Sequence, residues 1–551
     1  MRIALAQINS SLGDFKANAQ KILDFSRRAK EKRADLVIFP EMALFGYPPG
    51  DMLERADFVG AQLKVLEGLV SKIPPQITVI FGAVVKNKSA QKRGGKPYHN
   101  AAVVARRGKS TQFFAKQLLP SYDVFEDTRF FEPGVKTGIV TVPNIGNVAV
   151  TICEDMWANF ARESGSVYAR DPILNTYSKD PLRALKKISL VVNISASPFS
   201  LAKVKNRMFT AREHVRRLKV PFAYVNQIGG QDEIIFDGRS FVLDKDGTEI
   251  VQAASCEEDL VIIDLKKRRS EFRPKEQNKQ GQIREALVLG LRDFLKKTTQ
   301  KFVHLGLSGG IDSSLVAAIA VDALGAANVT GILLPGPFSS EGSVTHALEL
   351  AKNLKIKTES FSISESYHLF QKSVLAIVAA APRKNIEIMN QNIQSRFRAL
   401  VLMSYANATN SMLLTTANKS ELAAGFGTMY GDLCGGLAPI GDLLKNEVYE
   451  LSKYYNSEKN IIPSAVLTKA PSAELAPDQK DSDSLPPYDQ LDSAVQKLVE
   501  GKFKASSVVE KSAFAMILKS EWKRWQTPPV LKVKERSFGK GRHMPIAGKF
   551  S

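Results

Sequence analysis

Cysteine is scarce in this chain. Its three cysteines among 551 residues, Cys153, Cys256 and Cys434, lie far apart. They make neither a disulfide framework nor a spaced metal-ligand cluster. Long apolar runs are missing too: no stretch approaches the roughly 18 residues that span a bilayer, so no membrane association is expected. The opening Met1-Arg2-Ile3-Ala4-Leu5-Ala6-Gln7 turns polar too soon for a signal peptide and reads as a first strand. Together these absences lead to the expectation of a cytoplasmic protein. There is no internal repeat, no low-complexity tract and no nucleic-acid recognition motif, although the formal net charge is +20. The basic residues are scattered over Arg27 to Arg33, Lys86 to Lys96, Lys266 to Arg269 and Lys532 to Arg542. Scattered charge of this kind suits solvated surface and polyanionic small molecules, and no nucleic-acid partner is expected.

What is present is the composition of a soluble globular protein, 44% hydrophobic and 24% charged, long enough for several domains. Residues 1–265 alternate β-branched runs with amphipathic stretches. Leu36 to Phe39, Ile77 to Ile80, Val148 to Ile152 and Leu190 to Val192 read as buried strands, and Phe241 to Asp244 before Gly247 as half of a hairpin. This is an α/β layered pattern. The charged, proline-containing run Lys266 to Pro274 reads as a linker, here 266–281. A second α/β domain is expected over 282–551. Within it, Ala470 to Tyr488 is rich in Pro, Asp and Ser and reads as a long loop.

The most informative stretch is Ser308-Gly309-Gly310-Ile311-Asp312-Ser313-Ser314. It follows the apolar run Phe302 to Leu307 and precedes Leu315, Val316, Ile319, Ala320 and Ala323, spaced for a helix packed on a sheet. Strand, glycine loop and helix start in that order make an anion site. Glycine lets the backbone approach closely, and the free N–H groups of the helix start favour negative charge. The spacing is neither that of the Walker loop nor that of the dinucleotide fingerprint. It resembles the SGGxDS loop of the ATP pyrophosphatase superfamily, whose members cleave ATP to an adenylated substrate and pyrophosphate.

In the first domain Glu41 follows Phe39-Pro40, Cys153 follows the run Val148 to Ile152, and Lys116 precedes Gln117-Leu118-Leu119-Pro120. Residues just past strand ends face the ligand crevice of α/β domains. A thiolate, an ammonium and a carboxylate there suit acyl transfer, with a neighbouring cation expected to lower the thiol pKa. Phe39-Pro40-Glu41 with Gly46-Tyr47-Pro48-Pro49, then Lys116-x-x-Leu119-Pro120, then Cys153-Glu154-Asp155-x-Trp157, resembles the nitrilase superfamily. The resemblance implies an α-β-β-α sandwich with Glu41 as base, Lys116 as oxyanion partner and Cys153 as nucleophile of a glutaminase. It further implies Tyr122, Ser197 and Lys203 as glutamine contacts, and Glu126 or Glu132 as an auxiliary carboxylate.

In the second domain Asn390 to Arg396, Thr416-Ala417-Asn418-Lys419-Ser420-Glu421, Tyr430-Gly431-Asp432, Gly435-Gly436, Pro471 to Leu475 and Pro528 to Val533 stand in succession. Leu413-Leu414 reads as a short strand and Thr416 to Glu421 as the loop after it. Asp312 and Glu421 are the natural carboxylate pair for a Mg²⁺ ion holding triphosphate. The set is similar to NAD synthetases, which implies a doubly wound, parallel-sheet fold of the adenine-nucleotide α-hydrolase kind. By position, Gly306, Leu307, Ser308, Gly309, Gly310, Ile311, Asp312, Ser313 and Thr416 would bind ATP. Asn392, Glu421 and Lys532 would contact deamido-NAD, and Asp312 and Glu421 the metal. Cys434 has no task in such chemistry.

Together the two resemblances imply a glutamine-fed NAD synthetase with glutamine, ATP and deamido-NAD as substrates, Mg²⁺ as cofactor, and a homo-oligomeric assembly. Three alternatives stay open at this point: another glutamine-fed ATP pyrophosphatase with a different acceptor, a synthetase using free ammonia only, and a basic RNA-binding protein with a vestigial ATP fold.

Overall fold

The computed structural model describes residues 1–158, 177–270, 278–457, 459–500 and 505–548. The chain divides into two compact units, Met1–Glu276 and Gln277–Ser551.

The first unit holds β1 (Arg2–Gln7), β2 (Leu36–Ile38), β3 (Thr78–Lys86), β4 (Tyr98–Ala105), β5 (Gln112–Ala115), β6 (Gly138–Val142), β7 (Gly146–Ile152), β8 (Leu190–Ser195), β9 (Phe222–Asn226), β10 (Ile228–Gln231), β11 (Ile234–Asp237), β12 (Phe241–Leu243), β13 (Glu249–Gln252), β14 (Asp259–Asp264) and β15 (Arg269–Ser270). One seven-stranded sheet runs β15-β14-β1-β2-β3-β4-β5, and a six-stranded sheet runs β13-β12-β9-β8-β7-β6. The period-2 alternation of strand side chains assigns the layers. On β1, Ile3 and Leu5 join Val150, Ile152, Val192 and Ile194 in a core between the sheets. Ala4 and Ala6 face the other way, against Ile22 of the helix Phe15–Glu31 and Leu66 and Leu69 of the helix Ala56–Lys72. On the far side Val191, Phe222 and Leu243 pack against Ala211 and Val215 of the helix Leu201–Leu218. The result is an α-β-β-α sandwich. The late hairpin expected around Phe241 is the antiparallel pair β12–β13.

The charged run after β14 is not all connector. Arg269–Ser270 pairs antiparallel with β14, and the first helix of the second unit begins at Lys279, three residues before the expected start. Residues 271–277, within the expected linker, lie outside the described residues.

The second unit is built on four parallel strands, β16 (Val303–Gly306), β17 (Val329–Leu333), β18 (Lys357–Ser360) and β19 (Met412–Leu413), in the order β18-β17-β16-β19. The helix Ile311–Leu324 follows β16, with Leu315, Val316, Ile319 and Ala320 buried as their spacing requires. On β16, His304 bonds the Leu402 carbonyl and Ser411, which sets the helix Arg383–Thr409 against that face. Val303 and Leu305 therefore face the opposite layer. The strand order reverses between β16 and β19. In open parallel sheets, that switch point at the carboxyl ends is where ligands bind.

Candidate active sites

In the first unit, three strand ends bring together groups distant in sequence. Glu41 follows β2, Lys116 follows β5, and Cys153 follows β7. Glu41 and Lys116 are buried, and the Lys116 ammonium donates to Glu41 Oε1 at 2.9 Å and to Asp127 Oδ2 at 2.6 Å. Asn100 Nδ2 also donates to Glu41 Oε1 at 2.6 Å, while the Ala196 N–H donates to Oε2 at 2.8 Å. Glu41 is thus fixed from three elements. Burial works against the Lys116 charge, but Asp127 and Glu41 outweigh it and hold its pKa well above the ordinary lysine value.

Cys153 opens a short 3₁₀ turn with φ at +43°. Asp155 braces this turn: its Oδ2 accepts from the Ile152 N–H at 3.0 Å, and its Oδ1 from the Gln117 and Leu118 N–H groups at 2.9 Å each. The same carboxylate therefore ties the cysteine turn to the Lys116 segment. Burial pushes its pKa up to about 6. The Cys153 thiol is also pushed well above its ordinary value, by burial first and then by Glu41, with Lys116 opposing. The expected lowering of the thiol pKa is therefore corrected. Burial with the Glu41 and Glu154 carboxylates outweighs the Lys116 and Lys203 ammonium groups, so the resting sulfur is a neutral thiol whose proton needs an acceptor.

Beside it, Glu154 is buried and accepts from Tyr122 Oη at 3.1 Å and Tyr177 Oη at 2.9 Å. The Lys203 ammonium lies over the Phe125 ring at 5.4 Å and the Trp157 ring at 5.9 Å. Ser197 is buried, its hydroxyl accepting from Arg207 Nε at 3.2 Å, and Arg207 is ion-paired to Asp237 at 2.8 Å.

In the second unit a cavity of about 490 Å³ opens at the switch point. Gly306, Leu307, Ser308, Gly310, Ile311, Asp312, Ser313 and Thr416 line it, together with Asn392, Glu421, Lys445 and Lys469. Gly309 turns away behind the loop with φ at +73°, where a Cβ would stand 2.1 Å from the Ser343 carbonyl oxygen. No other residue fits there. Asp312 sits in the first turn of the helix Ile311–Leu324 rather than at its cap, which is Gly310. Its Oδ1 accepts from Asn418 Nδ2 at 2.9 Å and its Oδ2 from the Lys445 ammonium at 2.5 Å. Lys445 also pairs with Glu421 at 3.5 Å. Burial, then Asp312, raise the Glu421 carboxyl to about 8.

Both sites have counterparts in known proteins. The carbon-nitrogen hydrolase family matches residues 2–163 and the NAD synthase family residues 283–527. The glutamine-dependent NAD(+) synthetase of Synechocystis sp. is 41% identical over 562 residues, spanning 100% of this chain and 99% of that protein. That of Thermotoga maritima is 34% identical over 597 residues, again 100% of this chain and 99% of that protein. The chain belongs to the glutamine-dependent NAD(+) synthetases. Among solved structures, the enzyme of that name from Acinetobacter baumannii, in complex with adenosine diphosphate, matches with a TM-score of 0.75 at 30% identity, covering 99% of this chain and 98% of that one.

Measured against the sequence-based expectations for such a synthetase, the structure brings Glu41, Lys116 and Cys153 into one site, with Tyr122 and Lys203 on its flank. It corrects the auxiliary carboxylate. Glu126 is exposed and Glu132 accepts from the Lys96 N–H at 2.8 Å, whereas Asp127 holds Lys116. Thr416 to Glu421 is only partly loop: Lys419–Ala424 is a helical turn, and Glu421 with Asn418 closes a capping box at its start. Lys532 is buried with its ammonium on the Glu535 carbonyl at 2.7 Å and is not part of the cavity wall. Cys434 lines the cavity, and burial pushes its thiol up to about 11. The residues that sequence reasoning missed are Asn100, Asp127 and Lys445. No motif marks the first two. No capping residue marks the third either: the helix Lys445–Tyr455 opens after Leu444, whose N–H donates to Glu447 Oε2 at 3.1 Å. Among the described residues no helix is long and apolar enough to cross a membrane.

Proposed function

We propose that the first unit hydrolyses glutamine and that the second uses the ammonia to convert deamido-NAD to NAD at the expense of ATP, with release of AMP and pyrophosphate. Two buried sites of complementary chemistry in one chain carry this reading. An acyl-transfer site with a neutral thiol stands in one unit, and a glycine-loop nucleotide cavity stands in the other.

Glutamine's α-ammonium suits Glu154 and its α-carboxylate suits Lys203, which orients the side-chain amide toward Cys153. The thiol attacks the amide carbon as Glu41 takes its proton, then Glu41 returns a proton to the departing ammonia. Lys116 has an N–H left after serving Glu41 and Asp127, and it stabilises the tetrahedral oxyanion. Water, deprotonated by Glu41, then cleaves the thioester to glutamate. In the second unit the loop amides around Ser308 bind the ATP phosphates. The nicotinate carboxylate of deamido-NAD, placed by Asn392, attacks the α-phosphorus and expels pyrophosphate. Ammonia then displaces AMP from the mixed anhydride. Adenylation is needed because a free carboxylate is a poor acylating agent.

Asp312 and Glu421 fit a Mg²⁺ ion. Both are hard oxygen donors beside the phosphate loop, close enough together for Lys445 to pair with each. The bound ion would neutralise phosphate charge. Lys445, between the two carboxylates, supplies a resident cation at the same point.

The test uses amide-¹⁵N glutamine, Mg-ATP and deamido-NAD with the whole chain, followed by mass spectrometry. ¹⁵N in NAD, with AMP in equal amount, is expected. Glutamate and AMP production without labelled NAD would assign another acceptor.

A further inference from the structure

The helix Arg383–Thr409 presents Asn392, Ser395, Arg398, Ala399 and Leu402 to the nucleotide cavity, the spacing of one helical face. Among these, Arg398 is the one cation. Its Nε donates to the Leu334 carbonyl at 3.0 Å, at the end of β17. Among the described residues, its two terminal nitrogens have no hydrogen bond or ion pair. Arg396, two positions earlier, is exposed and spends its Nε on the Met429 carbonyl.

The guanidinium lines the cavity with its terminal N–H groups unmet by protein, where an arriving anion can take them. Burial lowers the Arg398 pKa, and Asp432 and Glu474 only partly offset it. Neither carboxylate is hydrogen-bonded to the arginine, and both accept from other donors. Glu474 Oε1 accepts from Ser340 Oγ at 2.9 Å, Ser343 Oγ at 2.8 Å and Lys469 Nζ at 2.8 Å. Asp432 accepts from the Thr428 N–H at 2.7 Å. The space for the tip is provided for: a Cβ at Gly336 would lie 2.8 Å from Arg398 Nη2. A planar fork with parallel donors matches two oxygens of one phosphate.

We propose that Arg398 is a phosphate-binding residue of the nucleotide cavity, its terminal nitrogens taking a phosphate of ATP or of deamido-NAD, with Gly336 keeping its place open. This deepens the function proposed above and rests on it.

The test measures AMP formation by the full-length chain with ammonium chloride as nitrogen donor, varying Mg-ATP and deamido-NAD separately. Arg398→Gln is expected to raise the KM of one nucleotide by about tenfold or more, the range of a lost charge-assisted hydrogen bond. The nucleotide whose KM moves is the source of the phosphate. Arg398→Lys keeps charge without the fork and is expected to recover only part of the loss. Gly336→Ala, which displaces the tip, is expected to shift the same KM in the same direction. Changes within twofold for both nucleotides in Arg398→Gln would overturn the proposal. If that variant does not fold, wild-type KM values in Arg398→Lys would overturn it. Should the wild-type chain make no NAD, the functional reading fails separately, and calorimetric titration with Mg-ATP and with deamido-NAD decides on Arg398. Weaker binding of either in Arg398→Gln supports the assignment, and equal binding of both sinks it.

Discussion

Gly309→Ala tests the phosphate loop most directly, because the structure fixes both penalties. At φ +73° an alanine pays the left-handed strain of an L side chain, about 1–2 kcal/mol. Its Cβ would also meet the Ser343 carbonyl oxygen at 2.1 Å and the Ser343 Cα at 2.8 Å. That backbone belongs to the first turn of the helix Glu341–Leu354, where Ser340 Oγ accepts from the Ser343 N–H at 3.2 Å. It has little freedom to retreat, so overpacking adds about 1–3 kcal/mol. Relief requires the loop to shift by about 1 Å, enough to cost on the order of 100-fold in a positioned reaction. The expected result is a second unit destabilised by about 2–5 kcal/mol and a kcat/KM for ATP down about 100-fold. Glutamate release from the first unit should stay intact, provided it is assayed without ATP. Thermal melting and paired assays of AMP and glutamate read these out. An alanine variant with ATP kinetics within threefold of wild type would show that the loop does not hold the triphosphate as argued.

Cys153→Ala is expected to abolish glutamate release and glutamine-driven NAD formation while leaving ammonium-driven NAD formation; loss of both would remove the cysteine from its assigned role. Asp312→Ala should abolish NAD formation from either nitrogen source, and retention of ammonium-driven turnover would contradict it. Lys116→Met leaves Glu41 and Asp127 buried without their cation and should destabilise the first unit by about 3–5 kcal/mol, read by chemical denaturation; Lys116→Met with Asp127→Asn together should recover part of that loss. His214 is buried neutral, its pKa lowered by burial to about 4, against about 6.5 in an unfolded chain. The unfolded chain then binds the extra proton first, so stability falls as pH drops from about 6.5 to 4, by about 3 kcal/mol in all. Asp155, raised to about 6, contributes a slope of opposite sign over part of this range. The comparison of wild type with His214→Gln therefore isolates the histidine: the variant's melting temperature should fall less across that window, and parallel profiles would refute the assignment.

The strands and the chemistry at their ends were legible in the sequence. Val148 to Ile152, Phe302 to Leu307 and the helix spacing after Ser313 follow from local periodicity, because side-chain direction repeats every two or 3.6 residues whatever the fold. Glycine-rich and proline-flanked motifs added the positions of Glu41, Cys153, Ser308 and Asp312. Tertiary structure decided which of these groups meet. Lys116 lies 75 residues from Glu41, and Lys445 lies 133 from Asp312, contacts set by strand order and crossover. The choice of Asp127 over Glu126 turned on which side of a one-turn helix faces inward, since Asp127 is buried and Glu126 exposed. The protonation of Cys153 likewise depended on burial and on a carboxylate more than a hundred residues away in sequence. Sequence therefore determined the parts and their local directions. Their pairing, their exposure to water and hence their charge came only from packing, because a low-dielectric neighbourhood is made by residues that the chain brings together from far apart.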